Sequence, residues 1–170
     1  MSKYAVFLKE TELFYNLTAT QLELMDSICE ERVYKKGEKI FEENSREDEL
    51  YLILQGEVQI TMDPTLVAAD PKAAAQPATI AVLRRGQCFG EVALVDQGVR
   101  TASAVALEKG TQVLRIPRGK FLLLCNSYPE LGYRVMFNLA TELAQKIRGA
   151  DLQIRAAMLY QVVENEPKSK

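Results

Sequence analysis

Glu91 and Arg100 stand near the two ends of Phe89-Gly90-Glu91-Val92-Ala93-Leu94-Val95-Asp96-Gln97-Gly98-Val99-Arg100-Thr101-Ala102-Ser103-Ala104. A guanidinium presents paired donors in a rigid fork that matches two phosphate oxygens, and an ionised carboxylate only accepts. Together they suit a phosphodiester carried on a sugar that keeps a free hydroxyl. The residues between them must leave space. Gly90 lets the backbone approach a ligand, and Glu91 to Val95 reads as one helical turn whose free N–H groups would face the phosphate. Ala93, Ala102 and Ala104 leave room for a ring, with Phe89, Val92 and Thr101 around it. A Glu and an Arg flanking an exposed turn are commonly a solvated pair worth ~0–1 kcal/mol. Arg100 directly precedes Thr-Ala-Ser-Ala-Val-Ala, a strand-like run with no bulky side chain, so its guanidinium is expected to face a concave space unpaired.

The elements that must position this stretch are mainly β, with helices on either side. In the lead, residues 1–31, Tyr4, Phe7 and Leu8, then Leu13, Phe14 and Leu17, recur at helical spacing. Thr18-Ala19-Thr20-Gln21 forms a capping box that opens a second helix through Leu22, Leu24, Met25 and Ile28. From Arg32 to Ile116 short β-like runs alternate with Gly37, Gly56, Gly86, Gly98 and Gly110, the pattern of a β-roll or jelly roll. The Ala- and Pro-rich stretch 63–78 breaks any strand and reads as an insertion between two strands, either without function or as a lid. Residues 117–164 return to helix, with Pro129 in the first turn of the longer one. There Leu131, Val135, Leu139, Leu143 and Ile147 share a face with Met136, Ala140 and Ala144 alongside, and Ile154 and Met158 extend it past Gly149. That stripe either covers the β-roll or, because it overshoots a small domain, meets a second copy of the chain. The tail 165–170 is polar.

Phe-Gly-Glu-x-Ala-Leu followed by Arg-Thr-Ala-Ser resembles the phosphate-binding cassette of cyclic nucleotide-binding domains, as in protein kinase regulatory subunits, nucleotide-gated channels and the catabolite activator protein. The Glu91 to Arg100 spacing resembles the kinase and channel members. Leu83-Arg84-Arg85-Gly86-Gln87-Cys88, Gly37-Glu38-Lys39-Ile40-Phe41 and Leu50-Tyr51-Leu52-Ile53-Leu54-Gln55-Gly56-Glu57-Val58 resemble the family's glycine-punctuated strands, so the likeness runs from about Leu13 to about Ile147. It departs at the Ala/Pro insertion and at Asn44, where a glycine is frequent. The resemblance implies a β-roll closed by a C-terminal helix, residues 1–165 forming a single domain. It implies a ligand, cAMP in preference to cGMP, held by Phe89, Gly90, Glu91, Val92, Ala93, Arg100, Thr101 and Ala102. It places base contacts near Glu142 and Lys146, which could equally be an intrahelical i,i+4 ion pair. Thr101 resembles cGMP-dependent kinases, although channels favouring cAMP carry the same Arg-Thr-Ala-Ser. A degenerate member that serves as a protein-interaction module is the alternative reading.

Composition narrows the function further. The 170 residues carry a net charge of −2, so a nucleic-acid partner is not expected. After Gln161 there is no room for the helix-turn-helix that follows in transcription factors of the family. The start at Met1 and the polar finish read as those of a complete small protein, a sensor acting on a separate effector. The chain contains no histidine, which removes the clustered ligands of the related cupin enzymes and the commonest acid–base group. No enzyme, cofactor or metal is expected. Cys29, Cys88 and Cys125 are odd in number and set among apolar residues, as reduced core thiols of a cytoplasmic protein are; redox sensing by Cys88 is the sharper alternative. No apolar run approaches ~20 residues, so no membrane span is expected.

Overall fold

The computed structural model describes residues 3–63 and 77–164, with side chains through residue 159. The expected insertion falls largely within 64–76 and the polar tail within 165–170, both outside the described residues. The lead contains α1 (Ala5–Lys9), a 3-10 turn (Glu12–Phe14) and α2 (Ala19–Ile28). Thr18 caps α2 as its sequence requires: Oγ1 accepts from the Gln21 N–H and Gln21 Oε1 accepts from the Thr18 N–H.

Among the described residues eight strands follow: β1 (Glu30–Tyr34), β2 (Lys39–Phe41), β3 (Leu50–Gln55), β4 (Val58–Met62), β5 (Ala78–Leu83), β6 (Cys88–Phe89), β7 (Ser103–Ala106) and β8 (Thr111–Ile116). They form two four-stranded antiparallel sheets, ordered β1-β8-β3-β6 and β2-β7-β4-β5. The fold is mainly β with flanking helices, as expected. The first strand begins at Glu30, ahead of the expected Arg32, because Glu30 is in register with Arg115 of β8 and accepts a bond from its guanidinium at 3.1 Å.

The period-2 alternation of β3 explains why its whole first half is apolar. Leu50 and Leu52 join a core shared with the helices, whereas Tyr51 and Ile53 join the core between the sheets. Sheet β1-β8-β3-β6 is thus covered on both faces. Cys88 and Phe89 of β6 divide between the same two cores.

The helical layer is completed by α3 (Glu91–Asp96), α4 (Arg118–Ser127) and α5 (Pro129–Glu164). At 36 residues α5 is about 54 Å long at 1.5 Å per residue. Leu131, Val135 and Leu139 are buried, Leu143 is half-buried against the same core, and Ile147 is exposed. Gly132 lets α4 and α5 meet closely, since a Cβ there would lie 3.0 Å from the Cys125 carbonyl oxygen. The helix continues through Gly149 without a break.

Candidate functional site

Arg100 lies in the loop between α3 and β7, and its guanidinium is turned inward. It is 2% exposed and sits over the Phe41 ring, Cζ 4.1 Å from the centroid, with Tyr51 at 5.7 Å. These rings and Phe89 form a cluster in which Tyr51 and Phe89 stack at 5.2 Å. Nη1 donates to the Gly90 carbonyl at 2.8 Å and Nη2 to the Glu49 carbonyl at 2.8 Å. The backbone is fixed as well: Arg100 N–H donates to Ser45 O and Asn44 N–H to Arg100 O, both at 2.8 Å. Asn44 has φ +65°, the left-handed conformation that explains its replacing a common glycine. The expectation of an unpaired guanidinium is therefore corrected. A buried cation keeps its charge only with partners, and the chain supplies two carbonyls and, 3.7 Å away, the Glu49 carboxylate.

One of the three Arg100 guanidinium nitrogens is left without a partner. Arg100 Nε is buried without a hydrogen-bond partner, and so is Glu49 Oε2. The other Glu49 oxygen is engaged by Arg115, which also bonds Glu30. Burial pulls the Arg100 pKa below its ordinary value against the opposing pull of Tyr51 and the nearby carboxylates Glu49, Glu47 and Asp48.

Gly90 could be no other residue without rearrangement. Its φ is +81°, and a Cβ would lie 2.6 Å from Arg100 Nη1 and 2.9 Å from Glu49 O. It caps α3, whose first residue is Glu91; at the far end Arg118 Nε donates to Leu94 O at 2.8 Å, tying α3 to α4. The expected helical turn at Glu91–Val95 is α3.

Glu91 is buried and already partnered. Oε1 accepts from Lys146 Nζ of α5 at 2.8 Å, and the same ammonium reaches the Cys88 carbonyl at 3.4 Å. Burial alone would lower the Lys146 pKa, but Glu91, helped by Cys88 and Glu142, outweighs it and raises the value. One turn earlier Glu142 Oε2 accepts from the Cys88 thiol at 2.9 Å. Burial raises both pKa values, that of Cys88 strongly. The intrahelical Glu142–Lys146 pair expected as one possibility does not form, because Lys146 crosses to Glu91.

A cavity of about 370 Å³ brings together Phe89, Gly90, Glu91, Val92, Ala93, Arg100, Thr101, Ala102 and Lys146. Glu142 lines a neighbouring cleft instead, beside Glu12 and Asn138. Ala104, expected to leave room for the ring, is instead fully buried in the core between the sheets and does not line the cavity. The sequence did not single out Phe41, Ile60, Ile80, Ala81, Leu83 and Gln87 as site residues, and all six line the cavity. Phe41, Leu83 and Gln87 stand inside motifs that resemble the family, whereas Ile60, Ile80 and Ala81 are brought to the cavity by the pairing of β4 with β5. Apart from Arg100, Glu91 and Lys146 the wall is mostly apolar, suited to a flat ring beside one phosphate. Among the described residues no group of three or more His, Cys, Asp or Glu is placed to hold a metal, and no helix is long and apolar enough to cross a membrane.

Comparison with known proteins identifies the family. The profile described as cyclic nucleotide-binding domain matches residues 31–128. The chain is 33% identical to the cyclic AMP receptor protein of Thermus thermophilus over 86% of its own length and 62% of the relative's. It is 29% identical to cGMP-dependent protein kinase isozyme 1 of Drosophila melanogaster over 82% of the chain and 17% of the kinase. It thus spans less than two thirds of either relative. A solved cyclic nucleotide-binding domain from Methylobacillus flagellatus superposes with a TM-score of 0.78 at 24% identity, covering 92% of this chain and 85% of that one. The profile match covers more than half of the chain and contains both Glu91 and Arg100, so this chain belongs to the cyclic nucleotide-binding domain family, with regulatory relatives.

Proposed function

We propose that residues 1–165 form one sensor domain in which Arg100 holds the phosphate of a cyclic nucleotide and Glu91 accepts from the ribose hydroxyl. The observation that carries this reading is the buried Arg100 guanidinium lining the cavity with Nε unpartnered, since an orphaned donor on a buried cation is stabilised by an incoming anion. Gly90, Ala93 and Ala102 leave space for the ring, and Phe89, Val92 and Thr101 complete the wall. The base lies toward the apolar residues of β4 and β5 and toward α5, where Lys146 lines the cavity and Glu142 stands one turn away.

The ligand is cAMP in preference to cGMP, as the greater identity and coverage of the cyclic AMP receptor protein support. The domain has no catalytic role, works in the cytoplasm, where free cysteines such as Cys29, Cys88 and Cys125 persist, and acts on a separate protein. It pairs with a second copy through α5. Tyr133, Met136, Ala140, Leu143, Ile147, Ala150, Ile154 and Ala157 follow a heptad seam along that helix, and Tyr133, Ile147 and Ile154 are all more than half exposed.

Calorimetric titration with cAMP and with cGMP tests the ligand. Saturable binding of either, lost in Arg100→Ala, is expected; no binding of either leaves a protein-interaction module of the same fold. Sedimentation tests the pairing: a dimer is expected, and Ile147→Asp with Ile154→Asp should give a folded monomer.

A further inference from the structure

The carboxylate assigned to the ribose hydroxyl is not free, and its partner comes from another element. Lys146 Nζ sits 2.8 Å from Glu91 Oε1, far along a helix that, among the described residues, adds no side chain to the hydrophobic core beyond Leu143. Among the described residues of α5, none after Lys146 makes a hydrogen bond or ion pair with the β-roll. Residues 147–159 are exposed. The last hold of α5 on the roll is therefore this ammonium, bridging Glu91 and the Cys88 carbonyl, with the Cys88–Glu142 bond one turn behind it. Lys146 also lines the cavity, so its ammonium stands in space that a ligand at Glu91 would enter.

We infer that Lys146 is a competitor built into the site: in the empty pocket it occupies Glu91 and latches α5, and a ribose hydroxyl takes Glu91 only by displacing it. This rests on the reading that Glu91 receives the ribose. Both donors would make charge-assisted bonds to the carboxylate, but only the ammonium adds the attraction of a full opposite charge, so the ligand's gain at Glu91 is diminished by the loss at Lys146. Among the described residues the helix beyond Glu142 then has no other polar hold on the roll. Because the coupling is reciprocal, whatever loosens the latch tightens the ligand and whatever binds the ligand loosens the latch. Arg100 takes no part in the exchange, its Nη atoms being fixed on the Gly90 and Glu49 carbonyls.

The test measures affinities of the full chain for cAMP and for 2′-deoxy-cAMP, which lacks the competing hydroxyl, in the parent, Lys146→Met and Lys146→Arg. Removing a cation near a phosphate weakens both ligands alike, so the ratio of the two affinities isolates the competition. In Lys146→Met the preference for the ribo ligand should rise roughly five- to tenfold, and Lys146→Arg should restore the parental ratio. Amide exchange over 142–150 should also accelerate in ligand-free Lys146→Met. Lys146 is partly exposed, and a thermal melt confirms that the variant folds. An unchanged or lower ratio in Lys146→Met overturns the inference while leaving the pocket assignment intact. A parent that binds neither ligand overturns both.

Discussion

The two charged ends of the cavity are built on different principles. Arg100 rests on backbone: its Nη atoms are held by the Gly90 and Glu49 carbonyls and its plane lies over Phe41. Glu91 rests on a side chain brought from α5, 55 residues away in sequence. A carbonyl partner cannot be withdrawn without moving the strand or turn that carries it, whereas a lysine tip can swing away while the helix core stays packed. The cation end is thus preset, and the carboxylate end is exchangeable.

Substitutions at the preset end should have the largest effects. Arg100→Ala is expected to abolish measurable nucleotide binding, and Arg100→Lys to weaken it at least tenfold, because a charge-assisted fork contact is worth ~1.5–3 kcal/mol and a point charge cannot reproduce it; calorimetry decides. If Arg100→Lys binds like the parent, the fork is not the phosphate contact.

Gly90→Ala probes the same end through the backbone. A side chain at φ +81° meeting Arg100 Nη1 at 2.6 Å and Glu49 O at 2.9 Å is expected to lower stability by about 1–3 kcal/mol, read by urea denaturation, and to weaken binding with it. An unaltered denaturation midpoint would show that the turn relaxes freely.

The exchangeable end should respond less. Glu91→Gln keeps the shape of the side chain and loses the ion pair with a partly exposed lysine, so stability should change by less than about 1 kcal/mol. Ligand affinity should fall by less than in Arg100→Ala. Equal losses at both ends would erase the distinction between them.

The smallest effect is expected at Thr101, an exposed residue beside Arg100. Thr101→Ala should cost cGMP ~0.5–1.5 kcal/mol and cAMP less, because only guanine offers an exocyclic amine within reach of the hydroxyl. Equal losses would assign that hydroxyl to the phosphate.

The sequence by itself determined those features whose causes are local. Gly90 before Glu91 announces a sharp turn into α3, Thr18 and Gln21 announce the start of α2, and Leu50 to Val58 announces a strand ending at a glycine turn. The residue types at 91 and 100 carry their chemistry wherever they stand, so the two ends of the site were legible, as was the small-residue space between them. Tertiary structure alone decided what each charge meets. Glu49, Phe41 and Tyr51 reach Arg100 from strands and loops far back in the chain, and Lys146 reaches Glu91 from a helix that the β-roll must first position. Periodicity reports which face of an element is buried, not which residue of another element lies opposite. An ion pair is fixed by a separation of a few ångströms, and only the packed sheets and helices set that distance.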